Sequence, residues 1–290
     1  MKNLDLSTLP AKKRKQIVSC LRAGIQLLYF LFLPSVFTAA FNGVKYIFTQ
    51  IGQGEKIEMT AFVSALLLVC AFTIVFGRFF CGFACAFGSL GDAMHAIYGI
   101  ICKKRKKKPR CLKPELAKKL VLIKYGILLL IALCCFAGVY QKARGTSPWD
   151  VFSMLHAGNF RLSSYIPGVV LLVLILVGMF FEERFFCRFL CPMGAVFSLL
   201  PILPFFTLHR KRENCIRGCS ACTRQCPSAV ELPSDGSVEI SGDCFQCQKC
   251  IDTCSKGNIH TGVKGLRGNE FWFTILRAVI LLILLLWLGV

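Results

Sequence analysis

The sequence predicts an α-helical multi-pass membrane protein with about five spanning helices, two shorter re-entrant or interfacial helices, and a small cysteine-rich α+β module. Three observations predict it. Of 290 residues, 55% are hydrophobic and 26 are Phe, more apolar surface than a soluble core of this length absorbs. The apolar residues gather in runs of about 20, enough to cross a roughly 30 Å hydrocarbon core at about 1.5 Å per residue. Eight of the 18 cysteines fall in two tight runs between Cys215 and Cys254.

The first run extends from Ile17 to about Phe41, broken only by Arg22 and preceded by the basic cluster Lys12, Lys13, Arg14 and Lys15. It is too long for the hydrophobic region of a signal peptide and reads as a spanning helix. Further spans are expected at about Ala61–Phe80, Leu120–Tyr140, Ile166–Phe186 and Phe271–Val290. The formal net charge of +20 sits mostly in loops that flank these runs. That placement points to membrane topology and lipid rather than to nucleic acid. Residues 1–16 hold five Lys and Arg and the segment from Cys102 to Lys119 holds ten, against two in 42–60 and three in 141–165. The rich loops are therefore expected in the cytoplasm, with the N-terminus inside and the C-terminus outside. Two shorter stretches, Phe87–Ile101 and Met193–Leu208, are then expected to leave and return on the same side, buried against protein.

An internal repeat supports this layout. RFFCGFACAFG at Arg78–Gly88 aligns with RFFCRFLCPMG at Arg184–Gly194, 106 residues later. Each copy ends a span and opens a short stretch, as in structural repeats packed around a shared site. The chain thus divides into a membrane domain, 1–208, a soluble module, 209–269, with a turn at Ser234-Asp235-Gly236, and a last helix, 270–290. The module is too small for a substantial apolar core, and bound metal would supply the missing stability.

Its cysteines have the spacing of cluster ligands. Cys215, Cys219, Cys222 and Cys226 form C-x3-C-x2-C-x3-C-P, and Cys244, Cys247, Cys250 and Cys254 form C-x2-C-x2-C-x3-C, with Ser255 in place of the final proline. In such runs three cysteines hold one iron–sulfur cubane and the fourth reaches the other. The expected ligand sets are Cys215, Cys219, Cys222 with Cys254, and Cys244, Cys247, Cys250 with Cys226: two 4Fe-4S clusters in a bacterial ferredoxin-like module. Ala229-Val230 and Asn258-Ile259 follow the runs at matching distances and are placed to pack over the clusters. Zinc knuckles also use four cysteines, but usually as two well-separated pairs. A disulfide framework belongs to short secreted chains.

With these residues in view, the chain resembles the polyferredoxin-type membrane proteins, the family of NapH and of the membrane part of NosR. The resemblance rests on the two runs together with the duplicated RFFC-x3-C segment and covers most of the chain. The family's membrane motif, C-x3-C-P, is kept at Cys187, Cys191 and Pro192, whereas Ala86 follows Cys85. The resemblance implies electron transfer between the quinone pool or cytoplasmic donors and a flavin protein or reductase outside. The large flavin-binding domain of NosR has no counterpart here, so covalent flavin is expected only on a partner.

Cys81 with Cys85, and Cys187 with Cys191, are spaced i, i+4, which on a helix places two sulfurs on one face. Facing pairs offer a third metal centre, a dithiol–disulfide couple, a quinone-linked site or simple apolar packing. The same bland reading suits Cys20, Cys70, Cys134 and Cys135. Arg78, Arg184 and Arg188 stand beside the pairs, either to tune them or to snorkel to headgroups. Glu182 and Glu183 are read as a solvated helix end or a proton route, and Lys103–Lys108 as a membrane anchor or a docking patch. His95, His156, His209 and His260 supply no pair for haem, and no glycine-rich nucleotide loop is present. Neither haem nor NAD is expected. The rival to electron relay is a redox-sensing or accessory protein using nearly the same residues.

Overall fold

The computed structural model describes residues 11–107, 112, 114–140, 145–161, 163–263 and 270–289. The first expected span is not one rod. Helix α1 (Ala11–Phe32) stops before Pro34 and α2 (Val36–Gln53) departs from it at 62°, because a proline supplies no N–H to continue the ladder. Helix α3 (Ala61–Phe76) is capped by Thr60 and ends at Gly77, whose φ is 69°. Helices α4 (Ala86–Lys104), α5 (Pro114–Leu120), α6 (Ile123–Phe136), α7 (Pro148–His156) and α8 (Ile166–Phe181) follow.

Helix α9 occupies only Pro192–Leu199. The apolar stretch expected to run helically to Leu208 is broken by Pro201 and Pro204 and becomes irregular chain with a turn ahead of Leu208. Among the described residues, three helical segments are long and apolar enough to cross a membrane: Glu115–Phe136, Ser163–Phe181 and Glu270–Trp287. The bent pair is a fourth if it counts as one crossing, and α3 is a shorter apolar helix. Their outer faces carry exposed Leu129, Leu130, Val170, Leu174, Ile283 and Leu286, as expected of surface whose solvent is lipid.

The soluble part forms a three-stranded antiparallel sheet of order β2-β1-β3, with β1 at Leu208–Lys211, β2 at Asp235–Val238 and β3 at Ile259–Thr261. Two short helices, α10 (Ala221–Arg224) and α11 (Lys249–Thr253), carry cysteines from the two runs. The chain closes with α12 (Glu270–Trp287), tied to α1 by the Tyr29 hydroxyl, which donates to the Ala278 carbonyl at 2.7 Å. Inside the helices the phenylalanines make one aromatic core. Phe87 lies 5.2 Å from Phe37 and 4.9 Å from Phe186, and Phe79 stacks on Phe83 at 4.4 Å.

Candidate functional site

The two repeat copies adopt the same local structure. Each makes a five-residue π turn, Phe80–Ala84 and Phe186–Leu190, closed by an N–H from Cys85 to the Phe80 carbonyl and from Cys191 to the Phe186 carbonyl, both at 2.9 Å. The cysteine pairs therefore do not lie on continuous helices. Cys81 and Cys187 sit within the turns, whereas Cys85 and Cys191 are extended caps of α4 and α9. A π turn re-aims side chains that a regular i, i+4 helix would leave stacked. All four thiols are buried, and Cys191 is within charge range of Cys187, Cys81 and Cys85. The N–H of Gly194 points at the Cys191 sulfur at 3.2 Å.

The flanking arginines cross between the copies. Arg78, from the first, reaches Ser198 at 3.2 Å, and a Cβ on Gly194 would stand 2.9 Å from its guanidinium. Arg184, from the second, binds Asp92 at 2.7 and 2.5 Å, donates also to the carbonyls of Cys81 and Gly82, and would be 2.6 Å from a Cβ on Gly88. Gly88 and Asp92 are the repeat equivalents of Gly194 and Ser198, so each half lends its arginine to the other's helix N-terminus. Arg78 and Arg184 are 1% and 2% exposed; neither snorkels. Arg188 pairs with Glu182 at 3.4 Å, stacks on Phe189, and lies within charge range of Cys226. Glu183 pairs with Lys249. The acids expected at a solvated helix end are thus paired.

In the module, Cys215, Cys219, Cys222 and Cys254 line one cavity. Arg210 donates to the Cys222 sulfur at 3.1 Å, and Asn258 donates through its side chain to Cys215 at 3.4 Å and through its backbone to Cys254 at 3.3 Å. Ile259 packs with Cys222 and Cys254. The remaining four cysteines lie together on the inner side: Cys250 is within charge range of Cys244, Cys247 and Cys226. Backbone N–H groups of Val230, Ser228 and Ala229 converge on the Cys226 sulfur. Burial pushes the thiols of Cys244, Cys247 and Cys250 above their ordinary range, because a lone thiolate is costly where water is excluded. Each described cysteine is unbridged, and among the described residues no three His, Cys, Asp or Glu side chains close on a single ion.

The two halves of the site meet at Phe245. This ring, 2% exposed, lies 4.7 Å from the Arg78 guanidinium and 5.6 Å from that of Arg184, in reach of an arginine from each repeat. Its carbonyl and the Cα of Cys247 press against Gly82, where any Cβ would collide with the Phe245 oxygen. The equivalent position in the second copy is Arg188, so the inner loop has room to seat only on the first. Arg22 clamps it by donating to the Cys247 carbonyl. Lys124, 1% exposed, holds Asp243 at 2.7 Å immediately before Cys244. Burial opposes ionisation of Asp243, but Lys124 and Arg78 outweigh it and hold the carboxyl below its usual range.

Comparison with known proteins agrees with this geometry. A family model described as a 4Fe-4S binding domain matches residues 59–109 and 166–207, the segments containing the two π turns. An uncharacterized protein of Methanocaldococcus jannaschii is 30% identical over 206 residues, covering 70% of this chain and 71% of the relative. The ferredoxin-type protein NapH of Haemophilus influenzae is 25% identical over 203 residues, 67% of this chain and 65% of NapH. This chain belongs to the NapH/NosR-like polyferredoxin family. The regulatory protein NosR of Pseudomonas aeruginosa is 24% identical over 206 residues, 69% of the polyferredoxin but 27% of NosR. No solved structure matches. The match is to a 4Fe-4S binding domain, the relative NapH is a ferredoxin-type protein, and among the described residues three helices are long and apolar enough to cross a membrane.

Sequence reasoning missed Phe245, Gly82, Asp92, Lys124 and a buried arginine in α12, Arg277. The polyferredoxin's sequence holds a partial signal for the second and the last. Gly82 is where the repeat copies differ most in size, and Arg277 is a charge seven residues into an apolar run.

Proposed function

We propose that the chain relays single electrons through two 4Fe-4S clusters to a site at Cys81, Cys85, Cys187 and Cys191, and from there to a membrane or extracytoplasmic acceptor. The observation that carries this reading is the seating of the Cys244–Cys247 loop against the first repeat, which brings Phe245 and Cys247 onto Gly82, the residue after Cys81, with the Phe245 ring by Arg78 and Arg184. The ligand sets are Cys215, Cys219, Cys222 and Cys254 for the outer cluster and Cys244, Cys247, Cys250 and Cys226 for the inner one. What supports the crossed assignment is that the fourth cysteine of each run lies with the other three of its opposite. The cysteines ring spaces rather than points, and N–H donors aim at their sulfurs, as cubane clusters require.

Bound clusters would supply one-electron chemistry without proton bookkeeping. The chain's own part is to hold the ligands, exclude water and set the charge around each centre. At the membrane cysteines, two helix N-termini and the guanidinium groups of Arg78 and Arg184 make an electropositive hole suited to negatively charged thiolates. That favours a third metal centre over packing, and the match of the 4Fe-4S family model to these same segments supports it. The loop charges support a cytoplasmic module and N-terminus. The donor is a cytoplasmic protein or membrane quinol, and the acceptor an extracytoplasmic reductase or flavin protein.

The name of NosR, a regulatory protein, supports a second reading in which clusters and free thiols report oxidation to a partner complex. Low-temperature EPR with iron and sulfide counting on anaerobic protein decides the cofactors. About eight irons with coupled spectra are expected from the module, and additional iron lost when Cys81, Cys85, Cys187 and Cys191 become Ser. Zinc without iron overturns the proposal. Rapid, reversible reduction by quinol supports the relay; slow cluster loss coupled to partner release supports the sensor.

A further inference from the structure

Arg277 poses a problem of charge. It lies in α12 with 0% exposure, and its Nε and both terminal nitrogens have no hydrogen-bond partner. The guanidinium is packed between two rings, 4.6 Å from Phe79 and 4.4 Å from Phe273. Cation–π attraction offsets part of the cost of a desolvated cation, but a buried charge needs an anion. Among the described residues no carboxylate pairs with it, and the group whose charge reaches it is the thiol of Cys244. The helix is fixed in that orientation. One turn earlier, Thr274 donates to the Gln248 side-chain oxygen at 2.9 Å, within the Cys247–Cys250 segment. Beside it, the Gln248 nitrogen, a donor, is also buried and unpartnered.

The unpaired donors of Arg277 and Gln248 lie beside the inner cysteine run, and the partner they lack is negative. A cubane bound by four thiolates carries net negative charge, and reduction adds one more unit without a proton. A fixed cation in dry surroundings stabilises both states and the reduced state more. We propose that Arg277 is the buried counter-cation of the cluster held by Cys244, Cys247, Cys250 and Cys226, and that it raises that cluster's reduction potential. This rests on the ligand reading given above. Arg277 is a positioning and tuning residue; it carries no electron.

The test uses full-length protein in detergent, anaerobically, with dithionite as the one-electron reductant. Arg277→Met and Arg277→Lys are compared with wild type by EPR redox titration and by thermal unfolding of iron-loaded and chelator-stripped protein. The expected result for Arg277→Met is a tenfold or larger shift of the one-electron equilibrium against reduction, about 59 mV, at one cluster only. Arg277→Lys should retain most of the wild-type potential. Unfolding should change sign: Arg277→Met melts lower than wild type when loaded, because the cluster loses its counter-charge, and higher when stripped, because an unpaired buried cation is gone. That reversal also decides the case if the variant fails to load its inner cluster. Eight irons with both potentials unchanged, or equal destabilisation of loaded and stripped protein, overturns the proposal. Wild-type protein without two clusters sinks the ligand reading itself.

Discussion

The two cysteine sets of the module share a spacing and differ in surroundings. The outer set borders a surface cavity and includes the exposed Cys219, with Arg210 and Asn258 as its donors. The inner set is bracketed by Phe245, Gln246 and Gln248, which are 2%, 1% and 4% exposed, and is pressed into the membrane half. Near-identical sequence signatures thus serve opposite environments. The difference orients the pair: one end is open at the surface, and the other is packed against the helices.

The largest expected effect that would break this contrast comes from Phe245→Ala. Removing a buried ring costs about 3–5 kcal/mol, read as a lowered unfolding midpoint in detergent. The inner cluster's EPR signal should change while the outer one stays. Equal loss of both signals would mean the sets are not independently housed.

Next comes the pairing across the repeats. Asp92→Ala leaves the Arg184 guanidinium buried without its carboxylate, at about 3–5 kcal/mol, whereas Ser198→Ala at the equivalent position removes a hydroxyl that touches Arg78, Lys124 and Asp243 but no charge, for about 1.5–3 kcal/mol. Thermal unfolding of the two variants measures how far the pseudo-symmetry extends to energetics. Matching losses would show that Asp243, which also approaches Arg78 at 3.6 Å, does not compensate.

A smaller effect sharpens the outer side. Asn258→Ala deletes a donor to the Cys215 sulfur, costs about 1 kcal/mol, and should lower the outer cluster's potential with the inner one unmoved in a redox titration. The mildest is kinetic: in native protein treated with a chelator and mild oxidant, iron should leave the outer set first. Simultaneous loss would contradict the burial difference.

Much of this was legible in the sequence because it is local. The cysteine runs, the duplicated RFFC segment and the apolar lengths are patterns of neighbours along the chain. What escaped depends on partners distant in sequence. Cys81 and Cys85 have helical spacing, but the turn between them is a π turn stabilised by packing that joins residues a hundred positions apart. Pro34, Pro201 and Pro204 are breakers present in the sequence, but the expected spans rested on apolar length alone, which hid the 62° bend and the short α9. Arg78 and Arg184 could be singled out beside the cysteines; that each would serve the opposite repeat, with Phe245 against both, follows only from the packing of the two halves together.

The crossing of these arginines also sets an order of biogenesis. The first cysteine turn is emitted from the ribosome about a hundred residues before Arg184, which binds the carbonyls of Cys81 and Gly82. Until the second repeat has been made, neither turn has its counterpart, and until residue 245 follows, the arginines have no ring between them. Any metal destined for the membrane thiols must therefore enter late, into a nearly finished chain, so a truncation anywhere before the module should leave those thiols unmetallated.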